Sequence, residues 1–125
     1  MLHLKVVSIL PSAEMVERVE AIKKSTQYDI LTPELKVLIA LYLEREKGLY
    51  VNELTRKLRG HLSKATIQKS LMRLDDQGLV RTRLGYIRTG GASHVARISQ
   101  ISGETTVRYI DNLVNAIYQT LQPRS

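Results

Sequence analysis

Residues 63–78, SKATIQKSLMRLDDQG, decide how the rest of this chain is read. They predict one helix with both ends marked. Ser63 is a good N-cap, Leu62 and Ile67 stand where a hydrophobic staple would, and Gly78 supplies the left-handed residue that stops a helix. Ile67, Leu71 and Leu74 fall at i, i+4 and i+7 and make one apolar stripe. The opposite face carries Ala65, Thr66, Gln68, Lys69 and Arg73, short or polar side chains followed by long cationic ones. Taken alone, such a face is equally well explained as the solvated side of an ordinary surface helix. Its surroundings decide between the two.

Immediately upstream, NELTRKLRG (52–60) predicts a helix of two turns, with Asn52 as cap, Leu54 and Leu58 inward and Gly60 as stop. Gly60-His61-Leu62 then leads straight into Ser63, and two short helices joined by a tight glycine-containing turn make a helix-turn-helix unit. Before it, Leu49-Tyr50-Val51 is a very short extended piece. Residues 28–48, YDILTPELKVLIALYLEREKG, predict the central core helix. Thr32 caps it, and Pro33 takes the first helical position, where its missing N–H costs nothing. Leu35, Leu38, Ile39, Tyr42 and Leu43 follow at helical spacing. Val37, Ala40 and Leu41 make much of the remaining circumference apolar, residues 44–47 end the helix in solvent, and Gly48 terminates it. Ser25-Thr26-Gln27 reads as a loop. Ser12 caps an earlier helix with Met15, Val16, Val19 and Ile22 on its apolar side, and residues 2–10 read as a short strand or extended arm.

Downstream the period changes to that of strands. LVRTRLGYI and HVARISQI flank the turn-rich tip RTGGAS, with Arg81, Arg83 and Arg97 spaced for an exposed side and Arg88 beside two glycines. A hairpin of this kind is marginal alone and must lie on the helices. The last helix, from about Glu104 to Leu121, carries Val107, Ile110, Leu113, Val114, Ile117 and Leu121 at spacings of three and four. Either it folds back on the N-terminal helix, or it pairs with its copy in a second chain. The second reading is favoured, because a two-fold target requires it.

The 125 residues are the size of one domain. We divide them into an arm and helix (1–27), a core (28–101) and a C-terminal helix (102–122). A hydrophobic content of 43% without Trp, Phe or Cys implies a core of Leu, Ile, Val and some Tyr. It excludes disulfides, a thiolate nucleophile and a cysteine-based zinc site. No apolar run approaches the roughly 18 residues of a membrane helix, and the N-terminus makes a poor signal peptide. A cytoplasmic protein with no membrane partner is expected. The net charge is +7, and its placement says more than its size. Residues 52–97 hold ten basic side chains against three acidic ones, while the rest of the chain balances. A localised basic segment is the footprint of a polyanion partner, through phosphate neutralisation and counterion release. An anionic membrane surface fits less well, since the cations are not on one long amphipathic helix.

The order helix, short strand, helix, turn, helix, hairpin, long helix resembles a winged helix-turn-helix, a mainly α fold with a small β-hairpin (α+β) and terminal dimerisation helices. LTPELKVLIAL looks like the opening of the core helix in the MarR family of transcriptional regulators. VNELTRKL looks like the first helix of their reading unit, and LSKATIQKSLMRLDDQGLV is similar to their recognition helix and first wing strand. The wing lacks the Asp-x-Arg element usual in that family, and PadR-like and other small winged-helix regulators would look similar. The resemblance implies a dimeric, sequence-specific regulator of double-stranded DNA, with repression the expected outcome.

Helix 63–77 would enter the major groove, where small residues allow backbone approach and amide or guanidinium groups read base edges. Thr66, Gln68, Lys69 and Arg73 are the candidates for base edges or adjacent phosphates. Ser63 and Lys64 would hold a phosphate at the helix start. Arg56 and Lys57 would reach phosphate from the first helix, and Arg81, Arg83 and Arg88 would carry the wing to the minor groove or backbone. A small-molecule effector between core and dimer helices is compatible with this layout, though no residue marks its place. No cofactor is expected. His3, His61 and His94 have no metal-site spacing, Asp75-Asp76 sit at a helix end, and nothing assembles an enzyme's nucleophile and base. Two rivals remain: a non-specific architectural DNA-binding protein, and a winged helix that binds protein.

Overall fold

The computed structural model describes residues 10–121. The arm or strand expected over residues 2–10 lies, but for Leu10, outside them. The elements are α1 (Ala13–Lys23), α2 (Thr26–Asp29), α3 (Pro33–Leu43), β1 (Leu49–Tyr50), α4 (Val51–Lys57), α5 (Lys64–Asp76), β2 (Val80–Thr89), β3 (Ala92–Ile101) and α6 (Glu104–Thr120). This is an α+β winged helix-turn-helix. The caps expected at Ser12, Thr32 and Ser63 are all made: each hydroxyl accepts from the backbone N–H three residues on.

Three local expectations are corrected. Ser25-Thr26-Gln27 is not a loop but the start of the helical turn α2. Asn52 is not a cap, because α4 begins directly after β1 with Tyr50 at its N-cap. There the Glu53 carboxylate reaches back to accept the Tyr50 N–H at 3.2 Å, satisfying the donor that an asparagine cap was expected to serve. The extended piece before α4 also becomes a true edge strand. Leu49 pairs with Ser99 and Tyr50 with Ile98, so the hairpin is part of a three-stranded antiparallel sheet in the order β1-β3-β2. Gly48 makes that docking feasible. Its φ is +73°, and an added Cβ would lie 2.7 Å from the Ser99 carbonyl oxygen. At the far end, Gly90 and Gly91 both have positive φ, as a two-residue mirror-image hairpin turn requires.

The core is built round α3, whose residues Lys36 to Tyr42 are all buried. Leu54 and Leu58 of the first reading helix and Ile67 and Leu74 of α5 complete one side of it, with Leu49, Val80 and Ile101 of the sheet. The other side is closed by α1 and α6. Val19 and Ile22 meet this core together with Ile110 and Val114, which are both 0% exposed. Arg18 of α1 donates to Asn115 of α6 and lies 5.2 Å over the Tyr118 ring. The C-terminal helix thus folds back on α1 within one chain. Ile110 and Val114, expected at a dimer interface, belong instead to the chain's own core. Val107, Leu113, Ile117 and Leu121 are only partly covered.

One polar link ties α3 to α6. The buried Tyr42 hydroxyl donates to the Asp111 carboxylate, and Arg45 lies 4.8 Å over the same ring. Burial is the main reason the Tyr42 phenol is pushed up to about 12, with the Asp111 bond adding to it and Arg45 opposing. The sign follows from linkage. A phenol that loses its proton less readily when folded stabilises fully below its unfolded value, near pH 10, and stops doing so as pH rises through about 12. Stability should therefore fall across that window by on the order of 1–2 kcal/mol. Urea titrations at stepped pH would show it, and Tyr42→Phe should flatten the fall.

Candidate nucleic-acid interface

α5 presents its stripe as expected, with one addition. Ile67, Ser70 and Leu74 are buried and Leu71 is half-buried, so the small Ser70 hydroxyl lies within the inner face. At its start, Ser63 Oγ accepts the Thr66 N–H at 3.2 Å and lies 2.9 Å from the Thr66 hydroxyl. The Ile67 N–H goes to the Ser63 carbonyl. The side chains left outward are Ala65, Gln68, Lys69 and Met72. Lys64 is exposed at the same end, where helix N–H groups favour an anion. Thr66 is half-buried and its hydroxyl is engaged in the cap, which makes it a weaker base reader than Gln68.

Arg73 is the clearest departure among the expected contacts. It lies on the α3 side of α5 and pairs with Glu34 at 2.8 Å, so it joins α5 to the start of α3. That guanidinium is the first cause holding the Glu34 carboxyl below its usual range. Lys57 is also turned aside. It pairs with Glu44 at 3.4 Å and lines a cavity between α1, α3 and α4. Arg56 is exposed, its guanidinium 3.4 Å from the Tyr50 hydroxyl. His61, in the turn, is neither a ligand nor merely solvated: its ring stands edge-on to Tyr28 at 5.0 Å.

The hairpin's arginines do not share a side. Residues directly opposite on paired strands point the same way, and successive residues alternate. Arg81 pairs with Gln100 and Arg83 with Ile98, whereas Leu84 pairs with Arg97 and Arg88 with Ser93. Arg81 and Arg83 therefore occupy one face, and Arg88 and Arg97 the other. Arg83 donates to the Lys47 carbonyl at 2.9 Å, which fastens the wing to the α3–β1 turn. Arg97 faces α5 and lines a groove of about 390 Å³ with Gln68, Met72, Asp75 and Thr82. The wing cations beside the reading helix are thus Arg88 and Arg97. Alternation in the sequence already separates Arg83 from Arg88; what it does not show is which face meets α5.

The same face bears an apolar group that the sequence did not single out. Leu84, Tyr86 and Val95 are exposed along the outer wing, and Met72 is exposed on α5. Among the described residues, no cluster of three metal-ligating side chains occurs and no helix is long and apolar enough to cross a membrane.

The chain matches no protein-family model and no curated protein. Its fold recurs in solved structures. The crystal structure of SSV1 F-93 superposes with a TM-score of 0.50 at 23% identity, covering 74% of this chain and 96% of that one. The crystal structure of Pex from Synechococcus sp. (strain PCC 7942) superposes at 0.51 and 20% identity, covering 86% of this chain and 98% of that one. At these identities the likeness concerns the fold, and it is the fold that the helix order, caps and sheet register describe independently.

Proposed function

We propose that this winged helix binds double-stranded DNA in a sequence-specific way, as a MarR-like dimeric transcriptional regulator that acts in the cytoplasm, most simply as a repressor. The observation that carries the reading is the uncovered front of α5. Gln68 and Lys69 stand outward beside the small Ala65, at the end of the helix where N–H groups are free to hold phosphate. With α5 in the major groove, Gln68 reads a base edge, since a side-chain amide matches adenine's paired donor and acceptor. Lys64, Lys69 and Arg56 take phosphates, while Arg88 and Arg97 take the flanking backbone or minor groove. Arg73, Lys57 and Arg83 act from the flanks by holding α5, α4 and the wing in place. Dimerisation would use the edge of α6 left open beside its core stripe, where Tyr109, Leu113 and Ala116 follow at i, i+4 and i+7. Two half-sites about 34–36 Å apart would then follow.

Selection of sites from random duplex DNA, read for a palindrome, tests this directly. Enrichment of a two-fold motif supports the regulator. Binding without enrichment supports the architectural rival. Arg88→Ala is expected to weaken selected and random duplexes alike and to lower the salt slope by about 0.9, the amount for one lost phosphate contact. A slope unchanged from the parent would remove the wing from the interface.

The exposed Leu84, Tyr86 and Val95 favour one alternative, a protein partner docked on the wing. Under that reading Tyr86→Ala leaves duplex affinity untouched while abolishing the partner's capture.

A further inference from the structure

A second site lies away from the reading helix. Glu20 and Lys23 of α1, Tyr28 of α2, Lys36, Ala40 and Leu43 of α3, and Glu44, Lys57 and Leu58 around α4 enclose a cavity of about 190 Å³. That is the room of roughly six water molecules. Lys36 is only 8% exposed, an unusual position for a lysine. Its ammonium lies 5.4 Å over the Tyr28 ring, and among the described residues it has neither a carboxylate nor a hydrogen-bond partner.

The charges around it do not remedy this. Glu20 is already paired with Lys23 at 3.8 Å and Glu44 with Lys57 at 3.4 Å. The two carboxylates are each matched, and the cavity keeps one positive charge in excess, at its most buried point. Tyr28 is 2% exposed, and its hydroxyl likewise has no hydrogen-bond partner among the described residues. Ala40, Leu43, Leu58 and the Tyr28 ring supply apolar walls. A buried cation is costly unless paired, and a cavity lined by such a cation is fitted to an anion.

We infer that this cavity binds a small organic monoanion, a carboxylate with a compact apolar body, its charge on Lys36 and its body against Tyr28, Leu43 and Leu58. The carboxylate supplies the counter-charge that Lys36 lacks, and one monoanion brings the lining to neutrality. The site stands apart from the DNA reading, and its test uses no DNA.

The experiment titrates the full chain with benzoate, hexanoate, benzamide and inorganic phosphate, followed by calorimetry and by backbone amide shifts. Benzoate or hexanoate should bind with a Kd of about 1 mM or tighter. Benzamide, of similar shape and uncharged, should bind at least about tenfold more weakly, as should benzoate to Lys36→Met. The melting temperature of Lys36→Met should hold or rise, since an unpaired buried charge is removed. If that variant fails to fold, Lys36→Gln serves in its place. Shifts should centre on residues 28, 36, 40 and 58. Absence of binding by both carboxylates, equal binding by the Lys36 variant, or shifts centred elsewhere would each overturn the proposal. Phosphate binding as tightly as benzoate would overturn the apolar half of it.

Discussion

Raising monovalent salt from 50 to 200 mM should lower the affinity for a selected duplex by on the order of 10³-fold. The expectation rests on which cations face outward together. Arg56, Lys64, Lys69, Arg88 and Arg97 lie on α4, α5 and the α5-facing side of the wing, and Arg59 is exposed just beyond α4. Each cation that neutralises a phosphate steepens log K against log salt by about 0.9. Six such contacts give a slope near −5, which over this salt range is roughly a thousandfold. Mobility shifts or fluorescence anisotropy at four salt concentrations would measure it. A loss of only about tenfold would mean one or two phosphates in contact. The basic front would then not be the interface, and the protein-docking reading of the wing would take its place. Arg83→Ala gives the internal comparison. Its guanidinium is tied to the Lys47 carbonyl on the far side of the sheet, so the slope should stay where it was.

Much of this molecule is written in short-range chemistry, and that part was legible. Ser12, Thr32 and Ser63 are caps because a hydroxyl three residues ahead of an N–H satisfies it in any context. The burial of α3 follows from its nearly continuous apolar circumference, and the two-glycine turn follows from the need for positive φ. What sequence could not show was decided by partners distant in the chain. Lys36 reads as a solvated charge on a core helix, yet α1, α2 and α4 close over it. Arg73 reads as a groove contact, yet Glu34, thirty-nine residues earlier, is 2.8 Å away. The stripe on α6 was legible as a stripe, but periodicity is silent about what covers it. The covering was supplied by α1 through Val19, Ile22 and Arg18. The candidate interface divides the same way: the outward front of α5 was readable from helical spacing, while the sorting of hairpin arginines needed the register.

Ile67→Ala should cost about 3–5 kcal/mol, the upper part of the range for truncating a buried isoleucine. Ile67 is fully buried and sits where α5 rests on α3, with Leu54, Leu58 and Leu74 in the same core. The surrounding helices are capped and mutually packed, so they cannot collapse far into the space, and the cavity term adds to the lost transfer energy. Against a typical total of about 5–15 kcal/mol the loss is large. The melting temperature should drop by roughly 10–20 °C. The next residue supplies the contrast. Gln68→Ala removes an exposed amide and should change stability by no more than about 0.5 kcal/mol. Its effect should appear instead in DNA preference, as relaxed selectivity at one base position in each half-site. Thermal melts paired with binding to a panel of single-base variants would separate the two. A stable Ile67→Ala protein would mean that α5 is not seated by its apolar stripe. A Gln68→Ala protein with unaltered preference would mean that α5, though seated as described, does not read bases through that amide. The two adjacent residues thus test fold and function separately, because helical geometry points one into the core and the other out of it.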